Sequence, residues 1–323
     1  MNSQDIRNIL GPELEAVKAL VRSRLSSDVP ILQDLNMRVA GNSGKFLRPI
    51  LTLLMARACS GGRVSDDTRL FAAAVEMLHT ATLFHDDVAD GSDTRRGAPT
   101  AMSVFGPVPA VLVGDFWLAR AVGLIADSNY HEWGMRAFAR TFSDLAEGEM
   151  LQQQKASLCD TTEEEYLRII YCKTASLFRL CAECGAKTVE APPALFEAAS
   201  EYSRAMGLAF QIKDDILDFE GGDIGKPAGV DLKERKITLP LLGALKGVSD
   251  PQEIRGMVKD IEAHPGNASV VNKLVLEGGG IDYAYRVLHD YVISAIDSLQ
   301  ALPHSRDREM LEELALLNET RKK

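Results

Sequence analysis

The chain has 323 residues, 46% of them hydrophobic and 25% charged, and 46 acidic against 36 basic residues give a formal net charge of −10. This is the composition of a globular protein with a substantial core, and it excludes an intrinsically disordered chain. The acidic balance disfavours non-specific binding to nucleic acid, because that binding depends on basic side chains at phosphates. The sequence contains no run of 18 apolar residues, which a transmembrane helix would need, and its start lacks the pattern of a signal peptide. We therefore expect a cytoplasmic protein.

The predicted elements are helices throughout. Apolar residues recur at three- and four-residue spacing, as at Phe138, Phe142 and Leu145, in stretches rich in good helix formers. No alternating strand and no strand–helix–strand rhythm appears, and the Gly- and Pro-rich breaks are too short to be linkers. These features predict an all-α fold and one domain over residues 1–323. Cys181 and Cys184 have C-x-x-C spacing without further metal-ligand pairs, which predicts two core thiols.

The first acidic cluster, Asp86, Asp87 and Asp90, ends an apolar helical pattern that starts near Phe71. At about 100° per residue, the three carboxylates point to about 0°, 100° and 40° and share one face. Such a face is electrostatically costly unless a cation lies beside it. Mg²⁺, which a few carboxylates and substrate phosphates hold together, is the predicted cation. An EF-hand is excluded, because Gly97 stands where its final Glu is required.

A second cluster, Asp214, Asp215 and Asp218, repeats this spacing in the apolar stretch 206–219, with Gln211 on the same face. One cluster could be a solvated surface turn, but two favour sites that hold several Mg²⁺ ions around a polyphosphate. Basic residues near the clusters and in between predict phosphate binding: Lys45, Arg48, Arg95, Arg96, Lys173, Lys226 and Lys236. Neither glycine–lysine stretch is a Walker loop, and a His–Asp phosphohydrolase would need more histidines upstream.

In order and spacing, these residues resemble the all-trans polyprenyl diphosphate synthases over most of the chain. The matching segments are residues 44–49, 76–90, 95–97, 114–116, 147–149, 173–175, 210–218 and 225–236. The resemblance implies an all-α barrel of antiparallel helices around a central cavity, usually in a homodimer. It also implies a reaction, in which isopentenyl diphosphate is condensed with an allylic diphosphate to give a polyprenyl diphosphate.

The resemblance further implies a role for each matching side chain. The Mg²⁺ ligands would be Asp86, Asp90 and Asp214, supported by Asp87, Asp215 and Asp218. The allylic diphosphate would be bound by Arg95, Lys173 and Lys236. Isopentenyl diphosphate would be bound by Lys45, Arg48, His79 and Arg96, and Lys226 would help to cover the site. The catalytic candidates are Lys173 with Thr174 and Gln211, which would line the path of the developing allylic cation.

Two positions depart from the family pattern. Phe46 stands where the family often has Arg, and Arg235 stands where it usually has Gly. The first departure questions one auxiliary diphosphate contact, and the second questions the local shape of the loop before Lys236.

Product length is predicted from the residues upstream of Asp86, along which the growing chain would run. In family members with short products, the positions of Ala81 and Thr82 resemble a bulky barrier, whereas both residues are small here. With Leu78 they form the predicted floor of a long-chain site, so we expect an octaprenyl-like product. A farnesyl or geranylgeranyl product is the alternative, and the small residues could instead serve close helix packing.

Two other functions fit the same fold. A terpene cyclase usually replaces the second Asp cluster with an Asn/Ser/Glu motif and lacks the second-substrate residues, whereas both features are complete here. A non-catalytic partner subunit would be expected to lose acids from one cluster, and none is lost. The sequence therefore favours a Mg²⁺-dependent prenyltransferase.

Overall fold

The computed structural model describes residues 9–41, 46–95, 97–221 and 229–321. Three predicted substrate-binding residues, Lys45, Arg96 and Lys226, lie outside the described residues. Helices account for nearly all of the described chain, which confirms the all-α prediction.

The helices are α1 Gly11–Arg24, α2 Pro30–Gly41, α3 Leu47–Ser60, α4 Asp66–Ala89, α5 Ala101–Phe105, α6 Pro107–Ala126, α7 His131–Leu158, α8 Glu163–Ile170, α9 Ser176–Lys187, α10 Pro193–Glu220, α11 Val230–Lys233, α12 Leu239–Leu245, α13 Pro251–Lys259, α14 Gly266–Glu277, α15 Gly280–Ser298 and α16 Arg306–Thr320. A π-helical turn, Tyr171–Ala175, joins α8 to α9, and a 3-10 turn, Leu299–Ala301, follows α15. Two strands, β1 Thr94–Arg95 and β2 Ala98–Pro99, pair as an antiparallel hairpin. Sequence analysis did not predict them, because two residues are too few to show alternation.

The chain divides into two compact units, which we describe one at a time. The first comprises Met1–Ala139, Leu180–Glu197 and Leu302–Leu311, and the second comprises Arg140–Arg179, Ala198–Ala301 and Glu312–Lys323. A single domain over residues 1–323 stays a prediction.

The first unit is organised around α4, which packs against α1, α3 and α6. A capping box starts this helix, because the Ser65 hydroxyl accepts the amide proton of Thr68 while the Thr68 hydroxyl accepts that of Ser65. Phe71 is fully buried and meets the edge of Trp133, with ring centroids 6.0 Å apart. This buried apolar face fixes the helix and so positions the acidic cluster at its C-terminal end.

Helix α6 is strongly apolar. Among the described residues it alone is long and apolar enough to cross a membrane, judged by length and composition, with a mean hydropathy of 1.6. It carries Asp115 and Arg120, and 39% of the apolar stretch is buried inside the protein. A core helix of a soluble protein has the same properties, so this feature alone does not indicate a membrane span.

All five cysteines are free, and four of them are buried. Cys181 and Cys184 lie on α9 with no exposed surface, which confirms the prediction of core thiols. Burial raises the pKa of Cys181 to about 12, so this thiol stays protonated and unreactive at neutral pH.

Candidate active site

The π-helical turn of the second unit carries two of the predicted catalytic residues, Lys173 and Thr174. Each π turn holds one residue more than an α turn, and such turns are frequent at functional sites. Two glycines let neighbouring helices approach it closely. A Cβ on Gly148 would lie 2.6 Å from Cβ of Cys172, and a Cβ on Gly207 would lie 2.6 Å from Cα of Ala175. Both positions therefore require glycine, and α7 and α10 hold the π turn in place.

A chain of hydrogen bonds connects this turn to the second acidic cluster. The Thr174 hydroxyl donates to Oε1 of Gln211 at 2.7 Å, and Nε2 of Gln211 donates to Oδ1 of Asp215 at 2.9 Å. The Tyr166 hydroxyl donates to Oδ2 of Asp215 at 2.6 Å. Because Oδ1 of Asp215 accepts from Nε2 and the Thr174 hydroxyl donates to Oε1, the two bonds together fix the orientation of the Gln211 amide. That orientation in turn holds the Thr174 hydroxyl.

Burial dominates the electrostatics of Asp215. Loss of solvent raises its pKa well above the usual value, and the negative charge of Asp231 adds to the increase, against the hydrogen bonds from Tyr166 and Gln211. Burial also raises the pKa of Tyr166, with the charge of Asp215 as the next cause. Tyr166 therefore remains a proton donor towards Asp215 at any physiological pH.

The three acids of the second cluster occupy three different environments. Asp215 is buried behind its two donors, whereas the Asp214 side chain is 41% exposed and pairs with Arg321 at 2.7 Å. Asp218 accepts the amide protons of Val230 and Asp231 at 3.2 Å and 3.1 Å. Within this cluster, Asp215 is thus buried, whereas Asp214 and Asp218 are half-buried.

A cavity of about 170 Å³ adjoins the hydrogen-bond chain. Gln211 and Asp215 form part of its wall, and three lysines line it, namely Lys155, Lys173 and Lys236. Lys173 pairs with Glu149, and Lys236 pairs with Glu234. Although burial raises the pKa of Glu149, the ammonium group of Lys173 outweighs it and lowers that pKa overall. The cavity thus gathers cations and proton donors, which is the chemistry needed to bind an anion.

The acid Asp231 is a further member of this cavity. Burial raises its pKa to about 7, with the charge of Asp218 as the second cause, while Lys236 acts in the opposite direction. Asp231 lies in the matching segment 225–236, but the sequence alone assigned it no role.

The first acidic cluster lies at the C-terminal end of α4 in the first unit. Asp87 is buried and accepts a hydrogen bond from Nε of Arg95 at 2.7 Å. The hairpin of β1 and β2 positions Arg95, because Arg95 pairs with Ala98 across the two strands. Asp86 is half-buried, and Asp90 is exposed as the residue that caps the helix. The structure therefore brings Arg95 to Asp87, and leaves Asp86 and Asp90 nearer to solvent.

The remaining predicted residues of the first unit lie on α3 and α4. Arg48 and His79 are both half-buried. Leu78 and Ala81 are buried, whereas Thr82 is half-buried and its hydroxyl donates to the carbonyl of His79 at 2.8 Å. Among the three predicted chain-length residues, Thr82 is thus the one with a partly accessible side chain.

The two departures from the family pattern each have a structural account. Phe46 is 8% exposed and precedes α3, where it packs as an apolar residue under the ammonium of Lys18, 5.7 Å from the ring centroid. Arg235 has a φ of +59°, in the left-handed region that favours glycine. The side chain at 235 therefore comes at a conformational cost that a glycine would not have.

The two acidic clusters lie where a divalent cation would be stabilised. Both clusters lie at helix C-termini, where the macrodipole is already negative, and neither helix has a basic residue in its last turn. A guanidinium already lies at Asp214 and another at Asp87, which shows that these carboxylates attract positive charge. In the described parts of the chain, no three His, Cys, Asp or Glu side chains form a complete metal cage. Mg²⁺ needs none, since one or two carboxylates with water and substrate phosphates suffice.

Sequence analysis missed three side chains of this site. Tyr166, Lys155 and Arg321 carry no motif of their own. Tyr166 belongs to the buried face of α8, and Arg321 lies 107 positions after Asp214, so only the folded structure brings them to the acidic cluster.

An all-helical protein with two acidic clusters and a lysine-lined cavity belongs to the class of proteins that bind diphosphates together with metal ions. Comparison with known proteins identifies the family within this class. A profile of the polyprenyl synthetase family matches residues 29–276. The all-trans-nonaprenyl-diphosphate synthase (geranyl-diphosphate specific) of Rhodobacter capsulatus is 37% identical over 318 residues, 97% of this chain and 96% of that protein. The octaprenyl diphosphate synthase of Escherichia coli is 36% identical over 321 residues, 98% of both chains.

A solved structure is similar over the full length. The polyprenyl synthase of Caulobacter crescentus, in complex with calcium and isoprenyl diphosphate, has a TM-score of 0.91 and 36% identity, and covers 100% of this chain and 98% of that chain. The chain belongs to the polyprenyl synthetase family. It is a prenyltransferase of the polyprenyl diphosphate synthase type.

Proposed function

We propose that the protein condenses isopentenyl diphosphate with an allylic diphosphate in a Mg²⁺-dependent reaction and makes a long-chain product of octaprenyl type. The observation that carries the proposal is the lysine-lined cavity beside the Thr174–Gln211–Asp215 chain. The cavity offers ammonium groups to a diphosphate, and the chain offers oriented dipoles to the carbon that this diphosphate leaves. Full-length similarity to octaprenyl and nonaprenyl diphosphate synthases supports the long product.

Different residues of the site have different roles in the proposed reaction. Lys173 and Lys236 bind the allylic diphosphate and neutralise the charge that builds up as it leaves. The Thr174 hydroxyl donates a hydrogen bond to Gln211, so the lone pairs of its oxygen remain available to the developing allylic cation. Asp86 and Asp90 of the first unit and Asp214 of the second would be ligands of Mg²⁺ ions, which would supply Lewis-acid stabilisation to the leaving diphosphate. The released diphosphate takes up the proton lost from the new double bond, so no side-chain base is required.

The second substrate binds to the first unit in this proposal. Arg48 and His79 are half-buried there, and Lys45 and Arg96 belong to the same predicted set. Arg95 donates to Asp87 through Nε alone, and 36% of its side chain is exposed. Its terminal nitrogens suit bidentate binding of a phosphate, in keeping with the role in allylic diphosphate binding that the family resemblance assigns to Arg95. The proposal also includes the predicted role of Lys226, which would help to cover the site.

A product assay tests the proposal directly. Purified protein is incubated with labelled isopentenyl diphosphate, an allylic primer and Mg²⁺, and the dephosphorylated products are separated by chain length. We expect elongated products that disappear with EDTA. A hydrocarbon would indicate a cyclase, and the absence of any product would indicate a non-catalytic partner subunit. Lys173→Met should raise the KM for the primer at least tenfold, whereas Lys259→Met, at an exposed position on α13, should leave it unchanged.

We also propose a homodimer that buries one face of α6. Val108, Val111, Leu112 and Val122 are exposed on this helix at helical spacing, and Leu112 is 60% exposed. Asp115 and Arg120 make a bilayer an unfavourable environment for this helix, which favours a second copy of the chain. Light scattering should give a dimer for the wild type and a monomer for Leu112→Glu. Val270→Glu, at an exposed apolar position on α14, is the matched control and should remain dimeric.

A cytoplasmic location completes the proposal. Support comes from the five free cysteines, since a protein without disulfides is typical of a reducing compartment.

A further inference from the structure

A cation of the protein already lies at one of the proposed metal ligands. Arg321 is the residue after α16, and its amide donates to the carbonyl of Leu317 at 2.9 Å, which continues the helical bonding. Nη1 of Arg321 lies 2.7 Å from Oδ1 of Asp214. The side chain of Arg321 is only 15% exposed, so the pair is shielded from water on one side.

Two further contacts hold the guanidinium in place. Nη2 of Arg321 donates to the carbonyl oxygen of Phe210 at 2.5 Å. The guanidinium carbon lies 4.0 Å from the centroid of the Phe210 ring, which is a cation–π distance. All three contacts are to residues 210–214 of α10, one turn of that helix. Arg321 is therefore docked at a defined place and is not a solvated terminal side chain.

The contacts explain how the acidic cluster is tolerated without metal. Asp214 adds negative charge near the C-terminal end of α10, where the helix dipole is unfavourable to it. A guanidinium at Oδ1 offsets that charge. A metal ion bound to the same oxygen needs the same space, and two cations cannot share one carboxylate oxygen without strong repulsion.

We propose that Arg321 is a resident counter-ion of Asp214 which the divalent cation has to displace, so that Arg321 lowers the metal affinity of the second acidic cluster. The inference rests on the proposed function in one respect, namely that Asp214 is a metal ligand. The apparent metal affinity equals the intrinsic affinity multiplied by the fraction of molecules in which Arg321 is not paired with Asp214. An ion pair with two supporting contacts should weaken metal binding by about three- to tenfold.

Titration with Mn²⁺ alone, without substrate, measures this effect. Electron paramagnetic resonance reports free Mn²⁺, and Mn²⁺ prefers the same oxygen ligands as Mg²⁺. The variant is Arg321→Gln, which removes the charge and keeps most of the side-chain volume. The matched control is Arg306→Gln, because Arg306 lies at the start of the same helix α16, at the opposite end from Arg321, and pairs with Glu309 at 2.7 Å. Asp214→Asn tests the ligand itself.

The expected result is a dissociation constant for Mn²⁺ that falls about three- to tenfold in Arg321→Gln, stays at the wild-type value in Arg306→Gln and rises in Asp214→Asn. If Asp214→Asn leaves the titration unchanged, the metal role of Asp214 fails and the inference fails with it. If Asp214→Asn weakens binding but Arg321→Gln equals the wild type, the proposed function stands and the inference alone is wrong.

Hydrogen exchange supplies a second readout, which uses the wild type and so does not require that a variant folds. In the wild type, Mn²⁺ should lower the protection of the amides at the end of α16, because displaced Arg321 no longer anchors it. Unchanged exchange at saturating Mn²⁺ would overturn the displacement.

Discussion

Tyr166 is the side chain whose removal best tests the hydrogen-bond chain of the candidate site. Tyr166→Phe deletes one oxygen atom and keeps the ring that fills the buried face of α8. The lost bond joins a phenol to a buried carboxylate at 2.6 Å. Leaving a buried acceptor without its donor costs about 1–3 kcal/mol, so we expect the free energy of unfolding to fall by that amount.

The catalytic effect should be separable from the effect on stability. Asp215 keeps Gln211 as its donor but loses the partner that fixes its second oxygen, so the Gln211 amide and the Thr174 hydroxyl become less well oriented. We expect kcat to fall about tenfold, the equivalent of about 1.4 kcal/mol, with little change in either KM because Lys173 and Lys236 are untouched. Urea unfolding and steady-state kinetics on the same preparation measure both quantities.

A neighbouring tyrosine provides the control. Tyr171 also bears a hydrogen-bonded hydroxyl, which accepts from Nη1 of Arg179 at 3.2 Å, and Tyr171→Phe should leave kcat unchanged. Wild-type stability and wild-type kcat in Tyr166→Phe would refute the importance of this bond. A loss of stability with unchanged kcat would show that Tyr166 supports the fold and does not orient Thr174.

Four further predictions concern other parts of the molecule. Asp86→Ala should lower kcat by about 10³ or more while the protein still folds, because a metal ligand contributes several kcal/mol to the transition state and clustered like charges repel; near-normal turnover would contradict the assignment. Thr82→Phe should shorten the products without abolishing the first condensation, as chromatography of the dephosphorylated chains would show; an unchanged product distribution would place the floor elsewhere. The pKa of Asp231 is raised to about 7, so between about pH 4 and 7 the folded protein holds a proton that the unfolded chain has lost. In EDTA, which keeps metal away, the free energy of unfolding should therefore fall as pH rises from about 4 to 7. Asp231→Asn should reduce this slope, to which buried Asp215 also contributes, and should be more stable than the wild type by about 1–3 kcal/mol at pH 8, with the difference vanishing near pH 4 in urea titrations. Arg235→Gly should raise the free energy of unfolding by about 1 kcal/mol, because glycine relieves the left-handed backbone at that position; a loss of stability would contradict this reading of φ.

The sequence predicted the chemistry of the site more fully than its geometry. The i, i+1, i+4 spacing located both acidic clusters near the ends of long helices, because helical periodicity depends only on local sequence. It could not tell that Asp87 and Asp215 are buried while Asp214 is half-buried. Those differences come from Arg95 and Tyr166, which the tertiary fold brings to the two carboxylates.

Helix boundaries show the same division between local and tertiary information. The apolar pattern from Phe71 predicted the body of α4, but its start at Asp66 depends on the capping box of Ser65 and Thr68. The acid pairings of Lys173 and Lys236 could not be predicted, since their partners follow from the packing of α7 and from a turn before α12.

In the π-helical turn, the number of residues is more strictly constrained than their identity. One extra residue shifts the angular phase of everything after it by about 100°, so the side chains beyond Ala175 face directions that an α-helix continued from α8 would not give them. Deleting a single residue between 171 and 175 would restore regular helical bonding and at the same time rotate Lys173 and Thr174 out of phase with the helices that contact them. A shorter segment could thus be a better helix and a poorer enzyme, whereas many single substitutions on its outer face would leave the phase intact.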